Sequence, residues 1–190
     1  CAFNGRNEGG STGCGSVSTI TVDEGNRWYV AIDNVLYTAD RTTLVKYAPN
    51  KPDLYHEVDA RVRHIGDCAF EYATNLQCLK VGEGCVSIGK MAFWNTATTL
   101  RHAYFAASVT DWPEGYPFLE EFGYDRPWLN DKQVIGGPDG SAAQAYLADE
   151  GLPFHVIEEH EIADFMATPL PDEDDDPYVA NCAKEIIVDK

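Results

Sequence analysis

The sequence predicts an α/β repeat solenoid: a right-handed array of short parallel strands with an inserted β-hairpin and a C-terminal closing helix. A hexapeptide repeat carries most of this prediction, because Ile65–Phe70 recurs 23 residues later as Ile88–Phe93. An apolar triplet spaced like a short strand follows each copy. The 190 residues are 44% hydrophobic, enough for a core that stacked units share, since one unit cannot bury its apolar face alone. The triplets are Leu76, Leu79, Val81 and Leu100, Ala103, Phe105.

Each position of the repeat has a predicted role. Alternation along a strand points Leu79 and Val81 inward. The Ile-Gly pair turns the chain, because glycine allows tight backbone geometry, and Phe70 and Phe93 fill the core from the opposite wall. Parallel strands about 4.8 Å apart are expected near Ser18–Asp23, Cys78–Val81, His102–Phe105, Gln133–Ile135 and Phe154–Ile157.

The N-terminus fits the same frame. Cys1-Ala2-Phe3 matches Cys68-Ala69-Phe70, and a glycine-rich loop then leads to the triplet Val17, Ile20, Val22. We therefore expect the chain to start in the middle of a repeat, as a piece of a longer protein. The alternative is that Cys1 is the lipid-bearing residue of a mature lipoprotein.

Two further segments complete the pattern. The runs Ile32–Tyr37 and Thr42–Pro49 are rich in β-forming residues and read as a hairpin joined across residues 39–41. Residues 141–150 predict a helix with Ser141 as N-cap, and Gly151 ends it. The order of these features resembles the BspA-like leucine-rich-repeat family. The resemblance implies a leucine-rich-repeat-like solenoid in a bacterial surface or secreted protein.

The resemblance runs from Ala2 to about Val156 and sets the predicted domain boundaries. One expected repeat is missing between residues 106 and 132, where aromatic residues cluster instead. They either roof the end of the solenoid or form an exposed surface for a ligand. The aromatic residues are Trp112, Tyr116, Phe118, Phe122, Tyr124 and Trp128. The predicted divisions are a solenoid over 1–157, with a hairpin insertion over about 29–58, the irregular segment 106–132 and a closing unit 133–157, followed by an acidic extension over 158–190.

The extension contains 11 acidic and 2 basic residues. Glu158–Met166 predicts a short helix with Ile162, Phe165 and Met166 on one side. Pro169–Pro177 predicts a solvated linker, since blocks of like charge repel, and no EF-hand spacing supports a calcium site. We expect this linker to be mobile and dispensable, with residues 178–190 either a tail or the first edge of another domain.

Composition excludes several classes of function. With 31 acidic and 14 basic residues the net charge is −17, which argues against nucleic acid and anionic membranes as partners. No run of 18 apolar residues predicts membrane insertion. No catalytic or metal-binding motif occurs among the residues, so the prediction is a protein that is not an enzyme, with no metal and no cofactor. The six cysteines form no CxxC pair and are expected to be mostly free, packed thiols.

The predicted function is a non-catalytic protein-interaction module of a bacterial cell-surface or secreted protein, acting in adhesion or host contact as the resemblance implies. The partner is a protein, with a glycan as the other candidate. The alternatives are an accessory carbohydrate-binding domain of a secreted enzyme and a structural spacer. Strand alternation predicts an outward ladder of binding residues, with the aromatic segment at its end. The candidate binding residues are Thr19, Thr21, Cys78, Lys80, His102, Tyr104, Trp112 and Trp128.

Overall fold

The computed structural model describes residues 16–94, 96, 100–114, 134–167 and 184–188. Within these residues the chain forms short strands, two α-helices and one 3-10 turn. The strands are β1 (Val17–Val22), β2 (Tyr29–Ile32), β3 (Val35–Thr38), β4 (Thr43–Tyr47), β5 (Tyr55–Glu57), β6 (His64–Ile65), β7 (Cys78–Val81), β8 (Ser87–Ile88), β9 (His102–Phe105), β10 (Val134–Gly137), β11 (His155–Val156) and β12 (Lys184–Val188). The helices are α1 (Ala142–Asp149) and α2 (Ile162–Ala167), and the 3-10 turn is Glu159–Glu161.

Most of these strands stack as the turns of a solenoid. One sheet has the order β11-β10-β9-β7-β5, and every neighbouring pair in it is parallel. A second sheet has the order β2-β3-β4-β6-β8 and is parallel from β4 to β8. From β4 to β9 the chain alternates between the two sheets, so each turn contributes one strand to each wall. The predicted fold class, a repeat solenoid of short parallel strands, is confirmed.

The strand register follows the sequence repeat. In the first sheet Leu79 pairs with Ala103, and in the second Ile65 pairs with Ile88. The backbone N–H of Gly89 donates to the carbonyl of Ile65 at 2.8 Å, which extends this pairing beyond the strands. The two hexapeptides therefore lie one above the other on successive turns.

The glycines of the hexapeptides are needed for close approach between turns. A Cβ added at Gly89 would lie 2.5 Å from the backbone nitrogen of Asp67, and one at Gly66 would lie 3.1 Å from the carbonyl oxygen of Leu44. The left-handed backbone that tightens each turn is instead at the fourth position of the hexapeptide, where Cys68 has φ 54° and Met91 has φ 53°. The sequence predicted that the Ile-Gly pair turns the chain, and the turn does lie in the hexapeptide. The role of glycine there is to let neighbouring turns approach closely, and the unusual backbone conformation belongs to Cys68 and Met91.

The core is the one that the repeat predicts. Phe70 and Phe93 are fully buried and stack with ring centroids 5.5 Å apart. Phe105 meets the edge of Phe93 at 5.9 Å, and the inward residues Leu79 and Val81 join the same cluster. Burying a side chain of this size stabilises the fold by roughly 1.5–3 kcal/mol, so the aromatic stack is a principal source of cohesion between turns. Phe3 lies outside the described residues.

The inserted hairpin contains one strand more than predicted. β3 and β4 pair antiparallel across residues 39–41 as expected. β2 also pairs antiparallel with β3, through a two-residue turn in which Asp33 has φ 51° and Asn34 has φ 58°. Both values match the turn type that suits the twist of a hairpin. The run Ile32–Tyr37 is therefore split by its Asp-Asn pair into two strands.

β1 does not join the parallel sheet, contrary to prediction. It pairs in parallel with β12 instead, and its inward residues Val17 and Ile20 pack on Leu36 and Ala48 in a small second core. The reason is position in the chain: the antiparallel insertion follows β1 directly and offers it an apolar face, while β5 takes the place next to β7. Residues 184–188, in the segment predicted to be a tail or the first edge of another domain, form β12, and the β-branched run Ile186–Val188 favours it.

The closing unit is confirmed. The backbone N–H of Gln144 donates to the Ser141 hydroxyl at 3.3 Å, and Gly151 ends α1 with φ 68°. Leu147 is fully buried in the main core. β10 and β11 overlap the strands predicted around residues 133–135 and 154–157.

Trp112 supports the roofing interpretation of the aromatic segment. Its ring stacks on Tyr146 of α1 with centroids 4.9 Å apart, and it meets the edge of Phe105 at 5.1 Å. The indole N–H donates to the carbonyl of Val109 at 3.3 Å. This tryptophan thus covers the end of the core. The other aromatics of the cluster, Tyr116 to Trp128, lie outside the described residues.

Candidate interaction surface on the parallel sheet

The parallel sheet carries two rows of outward side chains across β5, β7 and β9. Strand pairing aligns Tyr55, Cys78 and His102 in one row, and Glu57, Lys80 and Tyr104 in the other. Their neighbours in sequence point inward, as the burial of Leu79, Ala103 and Phe105 in the main core shows. We call these six residues the outer face.

The outer face contains four of the predicted binding residues, and three others lie elsewhere in the described part of the chain. Cys78, Lys80, His102 and Tyr104 come together as strand alternation predicted. Thr19 and Thr21 do not join them, because β1 pairs with β12 and lies outside this sheet. Trp112 roofs the core, and Trp128 lies outside the described residues. The predicted continuous ladder is therefore wrong at its N-terminal rung.

Tyr55 and Glu57 form the rung that the sequence analysis missed. β5 carries a histidine, His56, at the inward position where the other strands have an apolar residue, so it does not show the triplet pattern. A positional signal was nevertheless present, because Tyr55 and Glu57 precede Cys78 and Lys80 by 23 residues. Extending the repeat register upstream would have identified this strand.

A short helix of the acidic extension covers part of the outer face. The rings of His102 and Phe165 stack with centroids 4.9 Å apart and planes 13° from parallel. His102 Nδ1–H donates to the backbone carbonyl of Phe165 at 2.9 Å. Cys78 and Tyr104 are only 5% exposed and His102 only 8%, although all three point away from the core. The predicted helix with Ile162, Phe165 and Met166 on one side is confirmed, and it makes the ladder less open than expected.

The second row holds an ion pair with a tyrosine attached. Lys80 Nζ lies 2.9 Å from Glu57 Oε1, and the Tyr55 hydroxyl donates to Glu57 Oε2 at 3.2 Å. The hydrogen bond from Lys80 is the main reason why the pKa of Glu57 is lowered. Burial, followed by the charge of Glu57, raises the pKa of Tyr55 to about 12. Glu57 is thus an anion and Tyr55 a neutral donor at neutral pH, and both are held in place across two strands.

An acidic groove of about 1040 Å³ runs between the outer face and the extension. Lys80 is the one basic residue among the described residues that line it. A smaller pocket of about 540 Å³ lies against α2, with Tyr55, Lys80, Ile162 and Met166 in its walls. The acidic residues of the groove are Glu57, Asp59, Glu83, Asp139, Glu158 and Glu159.

The cysteines that the structure describes are poorly suited to nucleophilic chemistry. Cys78 and Cys85 are free and buried. Burial raises the pKa of the Cys78 thiol, and it raises the pKa of Cys85 to about 11. The reactive thiolate is therefore disfavoured at both sites. Cys68 is disulfide-bonded, so the expectation of mostly free thiols holds for two of the three described cysteines.

The described residues contain no group of three or more histidine, cysteine, aspartate or glutamate side chains placed to hold a metal ion. None of the helices in this part of the chain is long and apolar enough to cross a membrane.

Comparison with known proteins finds similar solved structures. No protein-family model matches the sequence, and no curated protein matches it either. A leucine-rich cell surface protein from Faecalibacterium prausnitzii aligns over 82% of this chain and 46% of its own, with 20% identity and a TM-score of 0.49. The pneumococcal vaccine antigen PcpA aligns over 74% and 50%, with 13% identity and a TM-score of 0.41.

A leucine-rich repeat protein from Eubacterium ventriosum aligns over 49% of this chain and 31% of its own, with 22% identity and a TM-score of 0.38. The chain thus spans between about a third and a half of the length of these proteins. Its own strand register, with paired copies of Ile65–Phe70 and Ile88–Phe93, establishes the repeat solenoid directly.

Proposed function

We propose that this chain is a non-catalytic protein-interaction module that binds a basic segment of a partner protein in the acidic groove beside the outer face. The observation that carries the proposal is the groove itself. Six carboxylates border it against the single ammonium of Lys80 among the described lining residues. Lys80 is already paired with Glu57 at 2.9 Å and Asp59 is paired with Arg41, so the other four carboxylates give the groove its attraction for cations.

Charge supports a basic partner over a neutral one. The whole chain carries a net charge of −17, so the attraction reaches beyond the groove and speeds the encounter with a cationic surface. Individual exposed charge pairs contribute little, about 0–1 kcal/mol each. Selectivity would therefore come from several pairs acting together, and binding should weaken steeply as salt is added.

The scaffold favours binding without a large loss of entropy. β5, β7 and β9 are fixed by parallel backbone pairing, and the Lys80–Glu57–Tyr55 contacts hold three side chains of the outer face in place. A surface that is ordered before binding loses less conformational freedom on association.

We also propose that the module works at the surface of a bacterium or in the secreted fraction, in adhesion or host contact. The family resemblance implies this setting. The disulfide at Cys68 is consistent with it, because disulfides persist mainly in oxidising compartments. The glycan alternative finds no support at Trp112, since that ring is engaged by Tyr146 and Phe105.

The experiment uses a fluorescein-labelled octalysine peptide and its octaglutamate counterpart, with binding measured by fluorescence anisotropy at low and physiological salt. We expect the wild-type chain to bind octalysine only. Glu83→Gln with Glu158→Gln should weaken binding by about tenfold, as the loss of two favourable pairs implies. Glu24→Gln, an exposed position away from the groove, is the matched control. Equal affinity in all three proteins would place the basic partner elsewhere.

A further inference from the structure

The helix α2 occupies a position on the outer face that a partner could also occupy. Its apolar residues Ile162, Phe165 and Met166 point toward the sheet, yet none of them is fully buried. Phe165 of α2 contacts β9 through one ring stack and one hydrogen bond, both with His102. A contact of this size is small compared with the main core, in which Phe70, Phe93 and Phe105 are fully buried.

We propose that α2 is an internal competitor: it covers a seat on β7 and β9 that takes a short helical segment of the partner protein, with an aromatic side chain placed against His102. This inference rests on the proposed function and extends it from the groove to the covered rungs. The partner's segment would carry apolar residues at the spacing of Ile162, Phe165 and Met166, because that spacing is the one already seated on the sheet.

Charge explains how such a segment could displace α2. Glu159, in the turn before α2, lines the same groove as Glu57 and Glu83. Like charges that share one groove repel, so the docking of this segment carries an electrostatic cost. A segment with the same apolar residues and basic flanks would make the same packing contacts and replace repulsion by attraction.

The accessibility of the Cys78 thiol reports whether α2 is docked on the outer face. Cys78 lies on the outer face beside His102, and it is buried although it points away from the core. Removal of α2 should expose this thiol. Cys85 belongs to the main core and should be indifferent to α2, so it serves as an internal reference in the same molecule.

The first test measures alkylation of both cysteines by iodoacetamide at pH 8, resolved by peptide mapping, in wild type and in Phe165→Ala. We expect the rate at Cys78 to rise about tenfold in the variant, which corresponds to a tenfold larger open population. The rate at Cys85 and the melting temperature should not change. An unchanged rate at Cys78 would overturn the cover.

The second test measures affinity for a fluorescein-labelled peptide that has Ile, Phe and Met at the spacing found in α2, between lysine flanks. Phe165→Ala should bind it about tenfold more tightly than wild type, because the internal competitor is weakened. His102→Ala added to Phe165→Ala should bind it more weakly than Phe165→Ala alone, because the internal contact is already lost and only the peptide loses a partner. A peptide with Ala in place of Phe should bind Phe165→Ala more weakly than the original peptide does. Equal affinity of wild type and Phe165→Ala would overturn the proposal.

The two proposals fail in different ways. If octalysine binds wild type and loses affinity with the groove variants, but Phe165→Ala changes nothing, the groove stands and the internal competitor is wrong. If Phe165→Ala binds the helical peptide more tightly while the groove variants leave octalysine binding unchanged, the seat on β7 and β9 stands and the acidic groove is wrong.

Discussion

The main core and the second core solve the same packing problem with different means. The main core stacks Phe70 on Phe93, its counterpart one turn on, and Phe105 meets the edge of Phe93. The second core joins β1 to the antiparallel insertion through Val17, Ile20, Leu36 and Ala48, with no repetition. In the main core the stabilising contacts are distributed over several turns. In the second core they are few, and they join segments that are not copies of the repeat.

The largest expected effect separates the two cores. Phe70→Ala should lower the free energy of unfolding by about 3–5 kcal/mol, because it leaves a cavity between two turns. Ile20→Ala, in the second core, should cost less and should leave β7 and β9 protected from hydrogen exchange. Urea denaturation of both variants measures the difference. Equal losses would mean that the two cores unfold as one unit.

A buried ion pair gives the next effect. Lys46 lies 3.5 Å from the Glu71 carboxylate and donates to the carbonyl of Cys68 at 2.8 Å, with both charged side chains almost fully buried. Lys46→Met should destabilise the fold by about 3 kcal/mol, because a buried carboxylate loses its cation. Lys46→Met combined with Glu71→Leu should recover much of that loss in the same urea titration. A double variant no more stable than the single one would argue against the pair.

His56 predicts a dependence of stability on pH. Burial is the main cause that lowers its pKa to about 4 from an ordinary 6.5, and its ring contacts Tyr47 and Phe70. The unfolded chain takes up the proton first as the pH falls, so stability is fully present above pH 6.5 and is lost progressively toward pH 4. The loss should reach about 3 kcal/mol. His56→Leu should remove this dependence between pH 7 and 5, and a slope that persists unchanged would assign it to other groups.

The smallest effect concerns the C-terminal strand. A chain that ends after Ala167 lacks β12, so β1 loses its parallel partner. We expect a loss of about 1–2 kcal/mol in total, consistent with a few backbone hydrogen bonds of about 0.5–1.5 kcal/mol net each and some offsetting gain in chain entropy. Hydrogen exchange should accelerate in β1 and stay unchanged in β7 and β9. Protection of β1 that survives the truncation would show that its packing on Leu36 and Ala48 is sufficient.

Sequence reasoning succeeded where one position could be checked against another 23 residues away. That check placed β7, β9 and the buried Phe70 and Phe93, and local signals placed α1 between Ser141 and Gly151. It failed for β1, whose pairing with β12 joins segments more than 160 residues apart that share no pattern. It also missed β5, because His56 interrupts the apolar alternation, and the cover over His102, because no local pattern shows where an amphipathic helix docks.

The close approach at Gly136 and Gly137 determines how the array ends. A Cβ at Gly136 would lie 2.6 Å from Ile157 Cγ1, and one at Gly137 would lie 2.3 Å from the carbonyl oxygen of Phe105. Residues without a side chain at these two positions are therefore needed for the two-residue strand β11 to pair with β10 as the last strand of this sheet in the described part of the chain. A stack of parallel strands is otherwise an open template to which further chains can add. The two glycines thus help to bring β11 onto the edge of β10, and a larger residue at either position would be expected to leave that edge open to pairing with another chain.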